Sequence, residues 1–242
     1  MRVFGLIGYP LGHSFSEQYF ASKFSREGIN DAVYRNFSIA TIDKLPSVLF
    51  ENPGLVGLNV TIPHKRNVIP FLTISEELPI PACNCIRIQG KTLSGYNTDV
   101  IGFEKTLVPQ LKAYHRNALI LGTGGSSEAV QFVLQKLGIN FILVSRDPSK
   151  KNSLPYSSLN KEMISENLLI INTTPIGMHP NVLESPAIPF EFIGTKHFVY
   201  DLIYNPSETS FLKGAKNQGA TTKNGYDMLV AQAEESWRIW NS

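Results

Sequence analysis

The chain has 242 residues, 43% of them hydrophobic and 17% charged, a composition that excludes a disordered polypeptide and leaves room for one large domain or two smaller ones. Lys and Arg total 22 against 20 acidic residues, with no run of like charge. That excludes a broad electrostatic surface for nucleic acid or anionic lipid, so any bound anion is expected to be small and held locally. The N-terminus has no cleavage-like site and no segment approaches the ~20 apolar residues of a membrane span, so a soluble, cytoplasmic protein is expected, with no membrane or nucleic-acid partner.

In chain order, residues 2–7 read as a short apolar strand broken by Gly8-Tyr9-Pro10, then a Ser-rich turn and a helix over 17–27. Residues 32–38 read as a strand, 42–50 as a helix, 54–60 as a third strand, and 85–89 with 93–96 as a hairpin across Gly90 and Lys91. This predicts one α/β domain over 1–100. Residues 101–111 read as a helix with an apolar face, which joins it to a second domain through structure and not through a floppy linker. There, a strand over 117–121 enters the Gly-rich turn Gly122-Thr123-Gly124-Gly125, followed by a helix to Leu137 and a strand over 140–144. Strands over 168–171 and 198–202 complete an α/β domain spanning 101–226. The last segment, 227–242, forms a helix with apolar Met228, Leu229, Ala231 and Trp237 and is expected to pack back on the first domain.

Cys83 and Cys85 stand two apart. A Cys-x-Cys pair could supply two zinc ligands, but the five His residues are scattered, so buried thiols in a reducing compartment are favoured over a metal site.

A strand that ends in Gly122-Thr123-Gly124-Gly125-Ser126 and opens a helix brings backbone N–H groups against a diphosphate, although such turns also arise for steric reasons alone. The third small position of the usual fingerprint falls on Ser127 or, in a relaxed spacing, Ala129. An Asp or Glu at the end of the next strand would bind an adenosine ribose, but Ser145-Arg146 stands there instead. The guanidinium fork matches a 2′-phosphate and favours NADP, the alternative being a solvated surface Arg; Asp147 and Glu128 oppose it by charge.

The segment from Gly57 to Lys65, with Asn59, Thr61, His64 and Lys65, sets polar tips just past a buried strand. Gly95-Tyr96-Asn97-Thr98-Asp99 does the same after the hairpin and supplies a carboxylate that could pair with the Lys. With the opening Gly8-Tyr9-Pro10-Leu11-Gly12-His13-Ser14-Phe15-Ser16, these segments resemble the motifs of the shikimate dehydrogenase family. The resemblance continues through Asn84, the Gly122 turn, Asn172-Thr173-Thr174-Pro175-Ile176-Gly177-Met178, Asp201-Leu202-Ile203-Tyr204-Asn205-Pro206, and the stretch from Gly225 to Gln232.

The resemblance implies an N-terminal substrate domain, a C-terminal Rossmann-like cofactor domain, a final helix returning to the first, and an active site in the cleft between them. It implies an NADP-dependent oxidoreductase that interconverts 3-dehydroshikimate and shikimate in aromatic amino-acid biosynthesis. By the same similarity, Ser14, Ser16, Asn59, Thr61, Asn84, Tyr204 and Gln232 hold the substrate, and Lys65 with Asp99 forms the catalytic pair. Ser145, Arg146, Thr173, Met178, Leu202 and Gly225, with the turn from Gly122 to Ser126, line the cofactor. Glu17 departs from the family's usual Pro, Cys83 and Cys85 flank Asn84 where Val and Thr are common, and residues 71–82 are shorter than usual. The rival readings are a quinate or dual-specificity enzyme using NAD, and a catalytically silent ligand-binding member; retention of Lys65 and Asp99 speaks against the second. A monomer or homodimer is expected.

Overall fold

The computed structural model describes residues 1–12, 15–76, 78–147, 149 and 152–242. The chain divides into two compact units, Met1–Thr98 with Ala233–Ser242, and Asp99–Gln232.

The first unit is built on a five-stranded sheet in the order β2-β1-β3-β4-β5. Strands β1 (Arg2–Gly8), β2 (Ala32–Ser38) and β3 (Leu55–Val60) are parallel, and the hairpin β4 (Cys85–Gln89) and β5 (Thr92–Tyr96) adds an antiparallel pair. β1 and β3 are almost wholly buried, as expected of strands covered on both faces. One face carries α2 (Leu45–Glu51), entered through a 3-10 turn at Ile42–Lys44, over a core of Ile7, Leu58, Val60 and Ile86. The other face carries α1 (Phe15–Glu27) and the last residues of α7 (Tyr226–Trp240), where Phe4, Phe20, Phe24, Tyr34, Trp237 and Trp240 form an aromatic cluster. Trp240 sits flat on the sheet. Its Nε1 donates to the Ile86 carbonyl at 3.0 Å, and a Cβ on Gly57 would fall 2.5 Å from its ring, so a glycine is required beneath it. Lys23, buried on α1, is paired with Glu27 at 2.9 Å and with Glu234 of α7 at 2.8 Å.

Helix α1 spans Phe15–Glu27, so Ser16, expected in the turn ahead of the helix, lies within its first turn. Ser14 lies outside the described residues.

The second unit holds a six-stranded sheet in the order β11-β10-β9-β6-β7-β8, with every neighbouring pair parallel. Its strands are β6 (Asn117–Leu121), β7 (Asn140–Val144), β8 (Ser153–Leu154), β9 (Leu169–Asn172), β10 (Phe198–Asp201) and β11 (Thr221–Lys223). Counted within the unit, this is the doubly wound 3-2-1-4-5-6 order, whose reversal point lies between β6 and β9. Helices α4 (Gly125–Lys136), α5 (Lys161–Glu166) and α6 (Ser210–Asn217) flank it, with α3 (Thr98–Leu107) leading in. Two short edge strands and helices α5 and α6 were not anticipated from the sequence. The helix expected over 101–111 starts three residues earlier, at Thr98, and gives way to a 3-10 turn at Val108–Gln110 where Pro109 interrupts the α-helical ladder. α3 and α7 approach closely at Gly102, where a Cβ would stand 2.9 Å from the Met228 carbonyl oxygen. No helix among the described residues is long and apolar enough to cross a membrane.

Candidate functional site

In the second unit, the ends of β6, β7 and β9 surround a cavity of about 240 Å³ lined by Gly122, Thr123, Gly124, Ser145, Arg146, Asp147, Tyr156, Thr173, Thr174 and Pro175. Ligands of open parallel sheets bind at such carboxyl ends, beside the reversal point. Gly122 has φ +107°, and a Cβ there would stand 2.8 Å from both Thr173 Oγ1 and Thr174 Cγ2, so only glycine lets the turn press against the neighbouring loop. Gly124 caps α4 and Gly125 opens it, and neither has an atom within 4 Å of the place a Cβ would occupy. That leaves open space over the first turn of the helix, beside the exposed Ser126, where a helix offers N–H groups that its own ladder does not use. Ser127 and Ala129 are both buried, which makes them the small residues through which α4 packs on the sheet.

Ser145 is buried; its Oγ accepts from the Asp147 backbone N–H at 3.1 Å. The Asp147 carboxylate is turned into its own loop, where Oδ1 accepts from the Ser149 N–H at 2.9 Å and hydroxyl at 2.7 Å. Arg146 is exposed at the cavity and has no ion-pair partner among the described residues. Tyr156 is a wall residue that sequence reasoning missed. It follows the two-residue β8, too short to leave a periodic signal, and burial raises its pKa against the opposing pull of Arg146.

Of the expected cofactor residues, Gly125 and Ser126 stand just beyond this cavity's wall at the start of α4, and Met178, Leu202 and Gly225 also lie outside it. Met178 is 46% exposed on the turn whose N–H donates to the Pro175 carbonyl. Leu202 and Gly225 meet each other, since a Cβ on Gly225 would fall 2.0 Å from the Leu202 carbonyl oxygen and the Gly225 N–H donates to the Ile203 carbonyl at 3.0 Å. Burial raises the pKa of Tyr204. Gln232 is buried and donates through Nε2 to the Leu229 carbonyl of its own helix at 3.0 Å.

In the first unit, β1, β3 and β5 point the same way, and the expected substrate residues gather at their carboxyl edge. Ser16 follows β1, Thr61 and Lys65 follow β3, and Asn84 precedes the antiparallel β4 at the same edge. A Cβ on Gly8 would meet Thr61 Cγ2 at 2.4 Å, so the bare glycine lets the loop after β3 close on the end of β1. The Lys65 carbonyl accepts from the Cys83 N–H at 2.7 Å, which ties the loop to the approach of β4.

Asn59 and Asn84 belong to one buried network. Tyr34, hydrogen-bonded to Ser16, donates its hydroxyl to Asn59 Oδ1 at 2.8 Å. Asn59 Nδ2 donates to the Asn84 carbonyl at 3.3 Å and to Ser236 Oγ at 2.9 Å. Asn84 Oδ1 accepts from the Thr98 N–H at 2.6 Å. Both N–H bonds of the Asn59 amide are thereby committed, leaving one oxygen lone pair. Thr98 ends the first unit and Asp99 begins the second. Cys83 and Cys85 are buried, and burial pushes the Cys83 thiol up to about 11 and Cys85 further; neither is a thiolate near neutral pH. Glu17, in the first turn of α1, accepts from Asn36 Nδ2 at 2.6 Å.

Residues 6–86 match the model of the shikimate dehydrogenase substrate binding domain. The chain is 39% identical over 99% of its length and 91% of the relative's to shikimate dehydrogenase (NADP(+)) of Caldanaerobacter subterraneus subsp. tengcongensis. Among solved structures, the chorismate mutase/shikimate 5-dehydrogenase fusion protein of Clostridium acetobutylicum matches with TM-score 0.86 and 35% identity, covering 99% of this chain and 91% of that one. Shikimate 5-dehydrogenase of Thermus thermophilus, solved in complex with NADP(H) and shikimate, matches with TM-score 0.84 and 28% identity over 99% and 93% of the two chains. With that identity to curated relatives over nearly the full length, the chain belongs to the shikimate dehydrogenase family.

Proposed function

We propose that the chain catalyses the NADP-dependent interconversion of 3-dehydroshikimate and shikimate, a step toward the aromatic amino acids. The observation that carries this reading is the cavity beside Gly122. It joins an uncovered glycine turn to Arg146, which has no ion-pair partner among the described residues, at the strand end where a ribose-binding carboxylate would otherwise stand. The glycines and helix N-terminus suit a diphosphate, and the guanidinium suits a 2′-phosphate. Asp147, bound to Ser149, has its charge turned into the loop. The relatives named for NADP, and the Thermus structure holding NADP(H) and shikimate, support the same pairing of cofactor and substrate.

The nicotinamide supplies the hydride when bound. The protein's own contribution is position and electrostatics. Lys65 stabilises the negative charge that develops on the carbonyl oxygen and delivers its proton, and Asp99 orients the Lys and a substrate hydroxyl. Ser14 and Ser16 take the carboxylate. Thr61, Asn84, Tyr204 and Gln232 hold the ring, and Asn59 accepts a ring hydroxyl through its remaining lone pair. Met178, Leu202 and Gly225 would line the cofactor beyond this cavity. The first unit, with residues 1–98, is the shikimate-binding part, and the second, with the doubly wound sheet, is the NADP-binding part. A cytoplasmic enzyme fits the free buried thiols.

The test is shikimate oxidation by the purified protein with NADP and NAD in parallel, followed at the absorbance of the reduced nicotinamide. Turnover with NADP well above that with NAD is expected. Turnover with neither, or equal turnover with both together with quinate oxidation, overturns the reading.

A further inference from the structure

Asn172 and Asp201 open two of the family-like motifs and stand outside the binding and proton-transfer roles proposed above. They are register partners at the carboxyl ends of the adjacent parallel strands β9 and β10, and both are fully buried. Asp201 Oδ1 accepts from Asn172 Nδ2 at 3.0 Å and from the Ile203 N–H at 3.1 Å, while Oδ2 accepts from Thr209 Oγ1 at 2.6 Å. The other end of the Asn172 amide faces the next loop, where Oδ1 accepts from the Thr174 N–H at 3.0 Å and hydroxyl at 2.7 Å.

An amide side chain is nearly symmetric in shape and opposite in chemistry at its two ends, so what fixes its orientation is the partner of one end. A carboxylate offers acceptors only. Facing Asn172, Asp201 therefore forces Nδ2 toward itself and Oδ1 toward Thr174. Thr173 and Thr174 in turn press against Gly122 and, with Pro175, form one wall of the cavity. The arrangement is a chain of contacts from a buried carboxylate, through one amide, to the cofactor wall.

We infer that Asp201 is a positioning residue for the cofactor, fixing the Asn172 amide so that the Thr173–Pro175 loop is held against the Gly122 turn. This rests on the proposed NADP site. Removing the acceptor leaves Asn172 Nδ2 buried and unpaired, so that the amide is held from the Thr174 side alone and shifts to find another partner for Nδ2, taking the loop with it. An unpaired buried polar group is worth about a tenfold loss in an equilibrium constant.

The experiment compares Asp201→Ala and Asp201→Asn with the unmodified protein, reading steady-state constants for NADP and shikimate and, separately, NADPH binding by fluorescence. Asp201→Ala is expected to raise the NADP KM and the NADPH Kd about tenfold while the shikimate KM stays within about threefold. Asp201→Asn keeps an acceptor toward Asn172 and should retain near-normal cofactor constants. Asn160→Ala removes the N-cap of α5, which bonds the Met163 N–H and touches nothing in the cavity; it should lower Tm without moving either KM. If Asp201→Ala does not fold, Asn172→Ala reads the same link and should show the same selective loss of cofactor affinity. Unchanged NADPH affinity in the folded variants, or equal losses for cofactor and substrate, overturns the inference. An unmodified protein that binds NADPH but does not oxidise shikimate overturns the proposed reaction instead, and the binding comparison still decides the role of Asp201.

Discussion

Leu202 and Gly225 touch through their backbones: a Cβ on Gly225 would stand 2.0 Å from the Leu202 carbonyl oxygen and 2.5 Å from its carbonyl carbon. Backbone cannot swing aside as a side chain can, so Gly225→Ala must push the start of α7 away from the end of β10. Overpacking of this kind costs about 1–3 kcal/mol, and each kcal/mol lowers Tm by about 2–4 °C in a chain of this size. Thermal unfolding of the variant should show that drop, with a higher NADP KM. An unchanged Tm would mean that the two segments separate freely.

Lys65 carries the proton in the proposed reaction. Its loop is held by backbone bonds, including the Cys83 N–H to its carbonyl, so truncating the side chain should leave the fold intact. Lys65→Ala is expected to cut turnover by about 10²-fold or more with Tm unchanged. Retained turnover would remove Lys65 from the chemistry.

How much of this was legible in the sequence depended on how local the physical requirement is. The Gly122 turn and the Ser145-Arg146 strand end stood out because the demand for a bare backbone, or for a cation at a strand end, is met within a few residues. Strands β1, β3, β6 and β9 were found as apolar runs, since burial on both faces leaves little else. β8 and β11, with two and three residues, carry no periodicity, and α6 has Gly214 in its middle. The pairing of Asn172 with Asp201 joins residues 29 apart and exists only through the β9–β10 register. The Asn59 network likewise draws on β2, β3, the residue before β4 and the far end of the chain at Ser236. Resemblance marked several of these residues but could not show that the Asn59 N–H groups are spent inside the protein.

Arg146 is the expected source of preference for NADP over NAD. Charge-assisted hydrogen bonds contribute about 1.5–3 kcal/mol, roughly ten- to a hundredfold in affinity. With the Asp147 carboxylate engaged by Ser149, little opposes them. Arg146→Ala should weaken NADP by that order and leave NAD nearly unchanged, read as the ratio of kcat/KM for the two cofactors. Equal loss for both would assign Arg146 to adenine stacking or to the fold. An unmodified enzyme indifferent to the 2′-phosphate would dismiss the preference altogether.

Asp201 should also leave a mark on stability as pH changes. Burial raises its pKa from 3.8 to about 6, against the lowering effect of Thr209, the Ile203 N–H and Asn172. The native state therefore holds this proton more tightly than the unfolded chain does. The resulting contribution is fully present below about pH 4, falls as pH rises through the window from 4 to 6, and is gone above it. A rise from 3.8 to about 6 corresponds to ~3 kcal/mol. Other carboxylates work in the opposite sense, because hydrogen bonds from Lys23 and Arg2 lower the pKa of Glu27 and Asp31 respectively. The net profile of the unmodified protein thus mixes both signs, and the comparison with Asp201→Asn isolates one. The variant cannot ionise at this position, so the stability difference, unmodified minus variant, should decline between pH 4 and 6 and level off above. Denaturant unfolding at closely spaced pH values measures it. Parallel profiles for the two proteins would show that the carboxyl is ionised throughout, with its three donors outweighing burial.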